Sequence, residues 1–153
     1  MTIIIHGPAE LRAWAGRELG VSDWTSVQQP AVDTFADLTG DHQWIHVDVP
    51  RARSSAFGGT IVHGYLTLGL VPRLSAAIYR VEGFGYGLNY GVNKVRFPAP
   101  LPAGSRIRLR TTLSEVSDVA LGGLQAVLSH TFEREHGTGK PVCVAETVVR
   151  YYS

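Results

Sequence analysis

The densest set of groups able to move protons is the run Thr39-Gly40-Asp41-His42-Gln43-Trp44-Ile45-His46-Val47-Asp48. It supplies a carboxylate, Asp41, and an imidazole, His46, five residues apart. On a loop that turns back, the two side chains can converge on one small volume. There they could hold a water and take its proton near neutral pH. The same residues also fit a plainer arrangement, in which Asp41 caps a backbone turn and His46 is an ordinary loop residue. A metal site built from His42, His46 and Asp48 is disfavoured. The i,i+4 spacing of its histidines needs a helix, Gly40 opposes one, and no Glu follows the first histidine as zinc-protease helices require.

A second segment, Gly58-Gly59-Thr60-Ile61-Val62-His63-Gly64-Tyr65, runs into an apolar helix. A helix start offers free N–H groups and a positive dipole end, both suited to a developing oxyanion. Gly64 would let a substrate carbonyl approach the backbone. Equally, these glycines could only turn the chain, with His63 a cap or a packed ring. Other patterns carry no chemistry. Gly83-Phe84-Gly85-Tyr86-Gly87 lacks the strand-to-helix setting of a dinucleotide loop. Gly137-Thr138-Gly139-Lys140 lacks the upstream glycine and Ser/Thr of a phosphate loop and reads as a hairpin. Cys143 lies among apolar strand residues, and His6, His130 and His136 have no companions in sequence.

The elements that must position these groups fall into two blocks. Pro8-Ala9-Glu10 opens a helix carrying Leu11, Trp14, Ala15 and Leu19, ended by Gly20, and Ser22–Val27 is a short strand-like piece. Pro30 starts a second helix with Val32, Phe35, Ala36 and Thr39 on one face, ended by Gly40. Residues 41–62 read as loop. Leu66, Leu70, Leu74 and Ile78 recur every four residues and predict a buried central helix over about 64–79, with Pro72 as the objection to its continuity. Beyond residue 85 the period becomes two. Leu88–Phe97 is a strand. Ile107, Leu109, Thr111 and Leu113 alternate with Arg106, Arg108, Arg110 and Thr112, and Leu124–Glu133 and Val142–Tyr152 follow. Helices first and antiparallel strands afterwards predict an α+β fold, one helix wrapped by a meander sheet.

With 153 residues, the chain is expected to form a single domain, 1–153. Hydrophobic residues make up 44% and charged residues 18%, which is ordinary globular composition. A net charge of +1 gives no field to hold nucleic acid. No apolar run approaches a membrane span, and the start lacks the basic region of a signal peptide. One cysteine excludes an internal disulfide and tolerates a reducing compartment, so a cytoplasmic location is expected.

The stretch Phe35-Ala36-Asp37-Leu38-Thr39-Gly40-Asp41, continued by Ile45-His46 and Ala52, resembles the signature of the MaoC-like (R)-specific enoyl-CoA hydratases. Gln43 and Trp44 stand where that family usually has Asn-Pro. Ile61-Val62-His63-Gly64-Tyr65-Leu66 is similar to the family's segment entering its central helix. Asn89 to Pro100 is similar to the strand and turn that follow. The nodulation-protein-like branch, with a single hot-dog domain, is the nearest in pattern.

The resemblance implies a hot-dog fold, with a long central helix wrapped by an antiparallel sheet. It implies a homodimer paired edge to edge, with the acyl-CoA site near the interface. The implied reaction is reversible hydration of a trans-2-enoyl-CoA to an (R)-3-hydroxyacyl-CoA. Asp41 and His46 would be the catalytic pair and the Gly64 N–H the oxyanion donor, with His63 beside it at the substrate. Neither a metal nor a redox cofactor is implied. Two rivals share the fold: an acyl-CoA thioesterase and a non-catalytic acyl-CoA-binding protein. The first usually places a carboxylate on or near the central helix, and no Asp or Glu occurs between His63 and Arg80.

Overall fold

The computed structural model describes residues 2–153. The chain runs through β1 (Ile3–His6), α1 (Gly7–Ala13), β2 (Arg17–Val21), β3 (Thr25–Ser26) and α2 (Gln29–Thr39). Two short helices follow, α3 (Trp44–Val47) and α4 (Val49–Arg53), then α5 (Gly64–Gly69) and α6 (Val71–Ser75). Strands β4 (Tyr79–Glu82), β5 (Tyr86–Arg96), β6 (Arg106–Val119), β7 (Gly123–Arg134) and β8 (Cys143–Tyr152) complete it. An antiparallel sheet has the order β2-β6-β7-β8-β5, with β3 also on β6, and β1 pairs parallel with β4.

The period-two strands lie where alternation predicts them. Ile107, Leu109, Thr111 and Leu113 of β6 are buried, as are Leu124, Ala126, Leu128, His130 and Phe132 of β7. Leu109 stands opposite Phe132 and Leu113 opposite Leu128. On the other face Arg108 and Arg110 share Glu133, and Arg106 meets Glu135. One face is therefore core and the other an ion-pair ladder in water.

The helical half departs from the sequence pattern in three places. The central helix is not continuous over 64–79. It breaks at Leu70 between α5 and α6, because Pro72 has no N–H to give the preceding turn and its ring crowds that turn's carbonyl. Pro72 instead occupies the first turn of α6, where it is tolerated. Nor does helix reach Tyr79, which opens β4 and aligns with Ile3 of β1. The four-residue apolar spacing still marks core residues, since Leu74 and Ile78 are buried with Leu66 and Leu70 packed against them.

The first helix stops at Ala13 rather than Leu19. Gly16, at φ 80°, turns the chain and donates to Leu113 O at 2.7 Å, so residues 17–21 become a strand on β6. Leu11 and Leu19 both reach the core, one from a helix and one from a strand. Finally, the expected loop 41–62 contains α3 and α4. The Asp48 carboxylate accepts from Arg51 N at 3.0 Å and caps the second of them.

Candidate active site

Helix α2 ends at Gly40, whose φ of 77° reverses the chain and delivers Asp41 to solvent beside the helix end. Five residues on, α3 turns His46 inward, where it is 7% exposed. Two ties hold that turn. Ile61 N donates to Ile45 O at 2.9 Å, and Gln29 Nε2 donates to His46 O at 2.7 Å. Gln29 Oε1 in turn accepts from the buried Thr60 hydroxyl.

The imidazole of His46 sits 2.6 Å from the Ile61 carbonyl through Nδ1. A carbonyl can only accept, so Nδ1 carries the proton and Nε2 keeps a free lone pair. In the neutral ring the acceptor nitrogen is therefore Nε2. His63, the residue before α5, is 2% exposed and stacks on His46 with ring centroids 3.8 Å apart and planes at 25°. Its Nε2 donates to the Asp41 carbonyl at 3.0 Å, and the Asp41 carboxylate lies 4.0 Å away. Phe35 of α2 leans on the same ring, centroids 4.9 Å apart. Nδ1 of His63 is buried with no hydrogen-bond partner among the described residues.

One ligating atom from each of Asp41, His46 and His63 falls within 4.8 Å of the others. The structure therefore brings together the carboxylate and imidazole singled out by spacing, and adds His63 as a third member. It does not bring together His42, His46 and Asp48. His42 points out to Asp37 at 2.8 Å, a bond that raises its pKa, and Asp48 is spent on capping α4. The three side chains are close enough to share one bound water or ion.

Gly64 is the first residue of α5, and its N–H finds no acceptor among the described residues. A Cβ at this position would lie 2.8–2.9 Å from three atoms of the Phe97 ring, so only glycine fits without moving it. Gln29, which holds the His46 carbonyl, carries no sequence signal, and Phe35 and Thr60 lie in segments singled out above without any sign of what they touch. Their contacts arise only where α2 packs against the segment 60–63.

The MaoC like domain model matches residues 11–131. The chain belongs to this family. It is 54% identical over 143 residues to 3-hydroxyacyl-thioester dehydratase Z of Mycobacterium tuberculosis, covering 94% of each chain. To nodulation protein N of Rhizobium leguminosarum bv. viciae it is 47% identical over 109 residues, 70% of this chain and 68% of that one. Among solved structures it superposes on the unliganded R-hydratase of Pseudomonas aeruginosa with a TM-score of 0.68 at 19% identity, covering 91% of this chain and 82% of that one. The MaoC-like fold here is the hot-dog fold, α+β with an antiparallel sheet around the central helical segment. No described helix is long and apolar enough to cross a membrane.

Proposed function

We propose that this MaoC-like protein is an (R)-specific enoyl-thioester hydratase, a hydro-lyase adding water reversibly across the C2–C3 double bond of a trans-2-enoyl-CoA. The observation that carries the reading is the pairing of a tautomer-fixed His46, its Nε2 free, with the Asp41 carboxylate. The relationship to 3-hydroxyacyl-thioester dehydratase Z supports it, as dehydration is the same reaction in reverse.

In the forward direction Asp41 and His46 hold one water. As the water oxygen bonds to C3, the pair takes its proton, and the C2–C3 π electrons move onto the thioester oxygen as an enolate. The Gly64 N–H, free at the start of α5, donates to that oxygen. An oxyanion donor of this kind lowers a barrier by about 3 kcal/mol. The enolate collapses when the pair returns a proton to C2, so the water ends as a hydroxyl on C3 and a hydrogen on C2. Such residues titrate and act as a unit. His63 is a positioning residue in this scheme, since it anchors the Asp41 backbone and backs the His46 ring. No metal or redox step is needed.

A cavity of about 510 Å³ opens along the same helical segment, from Leu68 and Gly69 to Ala76, and is floored by β5 and β8. Leu68 lies one turn beyond Gly64, about 6 Å along the axis. We assign the acyl chain to this cavity. Strand β5 borders it and forms the sheet edge, with Tyr86, Leu88, Tyr90 and Val92 each 46–59% exposed. An apolar, unpaired edge of that length calls for cover, and a second copy pairing along β5 is the cover we propose.

Incubation with crotonyl-CoA tests the reading. Loss of enoyl absorbance without release of free thiol, with (R)-3-hydroxybutyryl-CoA as product, is the expected result. Release of thiol would make the protein a thioesterase, and binding without turnover a carrier.

A further inference from the structure

The acyl cavity holds a polar group that water addition does not use. His130 of β7 lies in its wall, 2% exposed, and burial lowers its pKa to about 4, so the ring is neutral at pH 7. A neutral imidazole has one N–H and one acceptor nitrogen. Nδ1 faces the Thr111 hydroxyl at 3.1 Å, and Nε2 faces the Thr147 hydroxyl at 2.9 Å.

The direction of both bonds follows from Thr111. This residue is completely buried, and among the described residues its hydroxyl meets no other hydrogen-bonding group. A buried hydroxyl proton left unused is costly, so Thr111 donates to Nδ1. The ring proton is then on Nε2 and is donated to Thr147 Oγ1. Thr147 therefore receives a hydrogen bond and keeps its own proton, for which the described residues offer no acceptor. Thr147 lines the cavity, beside Leu68, Val71, Val92 and Val149. The relay ends in an O–H donor inside a largely apolar chamber.

Resting on the hydratase reading, we propose that Thr147 selects acyl chains bearing an oxygen acceptor beyond C4, a keto or ether oxygen, over plain alkyl chains of the same length. A plain chain displaces water from Thr147 and leaves its donor unpaired, whereas an oxygenated chain replaces that water's bond.

The test compares kcat/KM for trans-2-octenoyl-CoA with its 6-oxo and 7-oxo analogues, which place the oxygen at two depths. In a parallel arm, dissociation constants are measured for octanoyl-CoA and 6-oxo- and 7-oxo-octanoyl-CoA, which need no turnover. Wild-type protein is expected to favour one oxo chain about 10-fold in both arms, the size of one hydrogen bond to a buried donor. Thr147→Val should bring the ratio to about one, and Thr147→Ser should restore it. Equal values for oxo and plain chains in the wild type would overturn the inference, and so would a preference that survives Thr147→Val. Should Thr147→Val fail to fold, the wild-type ratio and Thr147→Ser still decide. Failure of the wild type to hydrate crotonyl-CoA would instead remove the hydratase reading, while the binding arm would still report on Thr147.

Discussion

His63→Phe separates support from chemistry at the site. Phenylalanine keeps a ring of similar size against His46, whose centroid lies 3.8 Å away, and against Phe35. It removes the 3.0 Å bond from Nε2 to the Asp41 carbonyl. That bond is worth about 0.5–1.5 kcal/mol net. The change also deletes the buried Nδ1 that has no partner, a group whose burial costs about 1–3 kcal/mol. The two terms oppose each other, so the net change in stability runs from a loss of about 0.5 to a gain of about 2.5 kcal/mol, and Tm should not fall by more than a few degrees. The catalytic effect has no such offset. The Asp41 side chain is 53% exposed, and the His63 bond is what ties its backbone to the inner wall. Loss of that anchor should lower kcat for crotonyl-CoA about 10-fold, or about 1.4 kcal/mol. KM should change little, because the acyl cavity is untouched. Steady-state kinetics at several pH values provide the assay, and the shape of the kcat profile should match that of the wild type. A loss of 10³-fold or more, or a kcat profile that changes shape with pH, would make His63 a proton carrier and refute the positioning role. An unchanged kcat would refute the anchor.

Asp41→Asn and His46→Ala should each lower kcat for crotonyl-CoA by at least about 10²-fold, and the double variant should be little worse than the worse single, since both act on one water. His42→Ala, whose ring faces Asp37 in solvent, should stay within a few-fold of wild type, and a loss matching that of His46→Ala would reassign the site. The proposed homodimer predicts twice the chain mass in sedimentation at micromolar concentration, and Leu88→Lys on the β5 edge should shift it toward monomer. Burial lowers the His130 pKa from 6.5 to about 4. The unfolded chain therefore binds the extra proton first as pH falls. The neutral ring's stabilisation, about 3 kcal/mol, is complete above pH 6.5 and lost progressively toward pH 4. Urea midpoints should fall over that window, and His130→Gln should flatten the fall.

The local order of residues was enough to predict the antiparallel sheet and to single out Asp41 and His46 as side chains able to converge, and the structure brings them together. Strand alternation at Ile107–Leu113 and Leu124–Phe132 encodes one buried face directly, because side chains on a strand point alternately to core and water. The Gly40 reversal and the five-residue interval from Asp41 to His46 are equally local, and both survive in the fold. The helical half was less legible. A spacing of four marks burial but not the element that achieves it, so Leu19 was read as helix when Gly16 had already turned the chain onto β6. Tyr79–Glu82 became a strand only because Ile3–His6 comes alongside, a partner more than seventy residues away in the chain. Tertiary structure alone decided what completes the site. Gln29 reaches the His46 carbonyl, and Ile61 fixes the His46 tautomer. His63 stacks on that ring and holds Asp41, while His130, solitary in sequence, joins Thr111 and Thr147 across three adjacent strands. Hydrogen bonds between residues fifteen or more apart depend on how elements pack, and side-chain order along the chain carries no record of them.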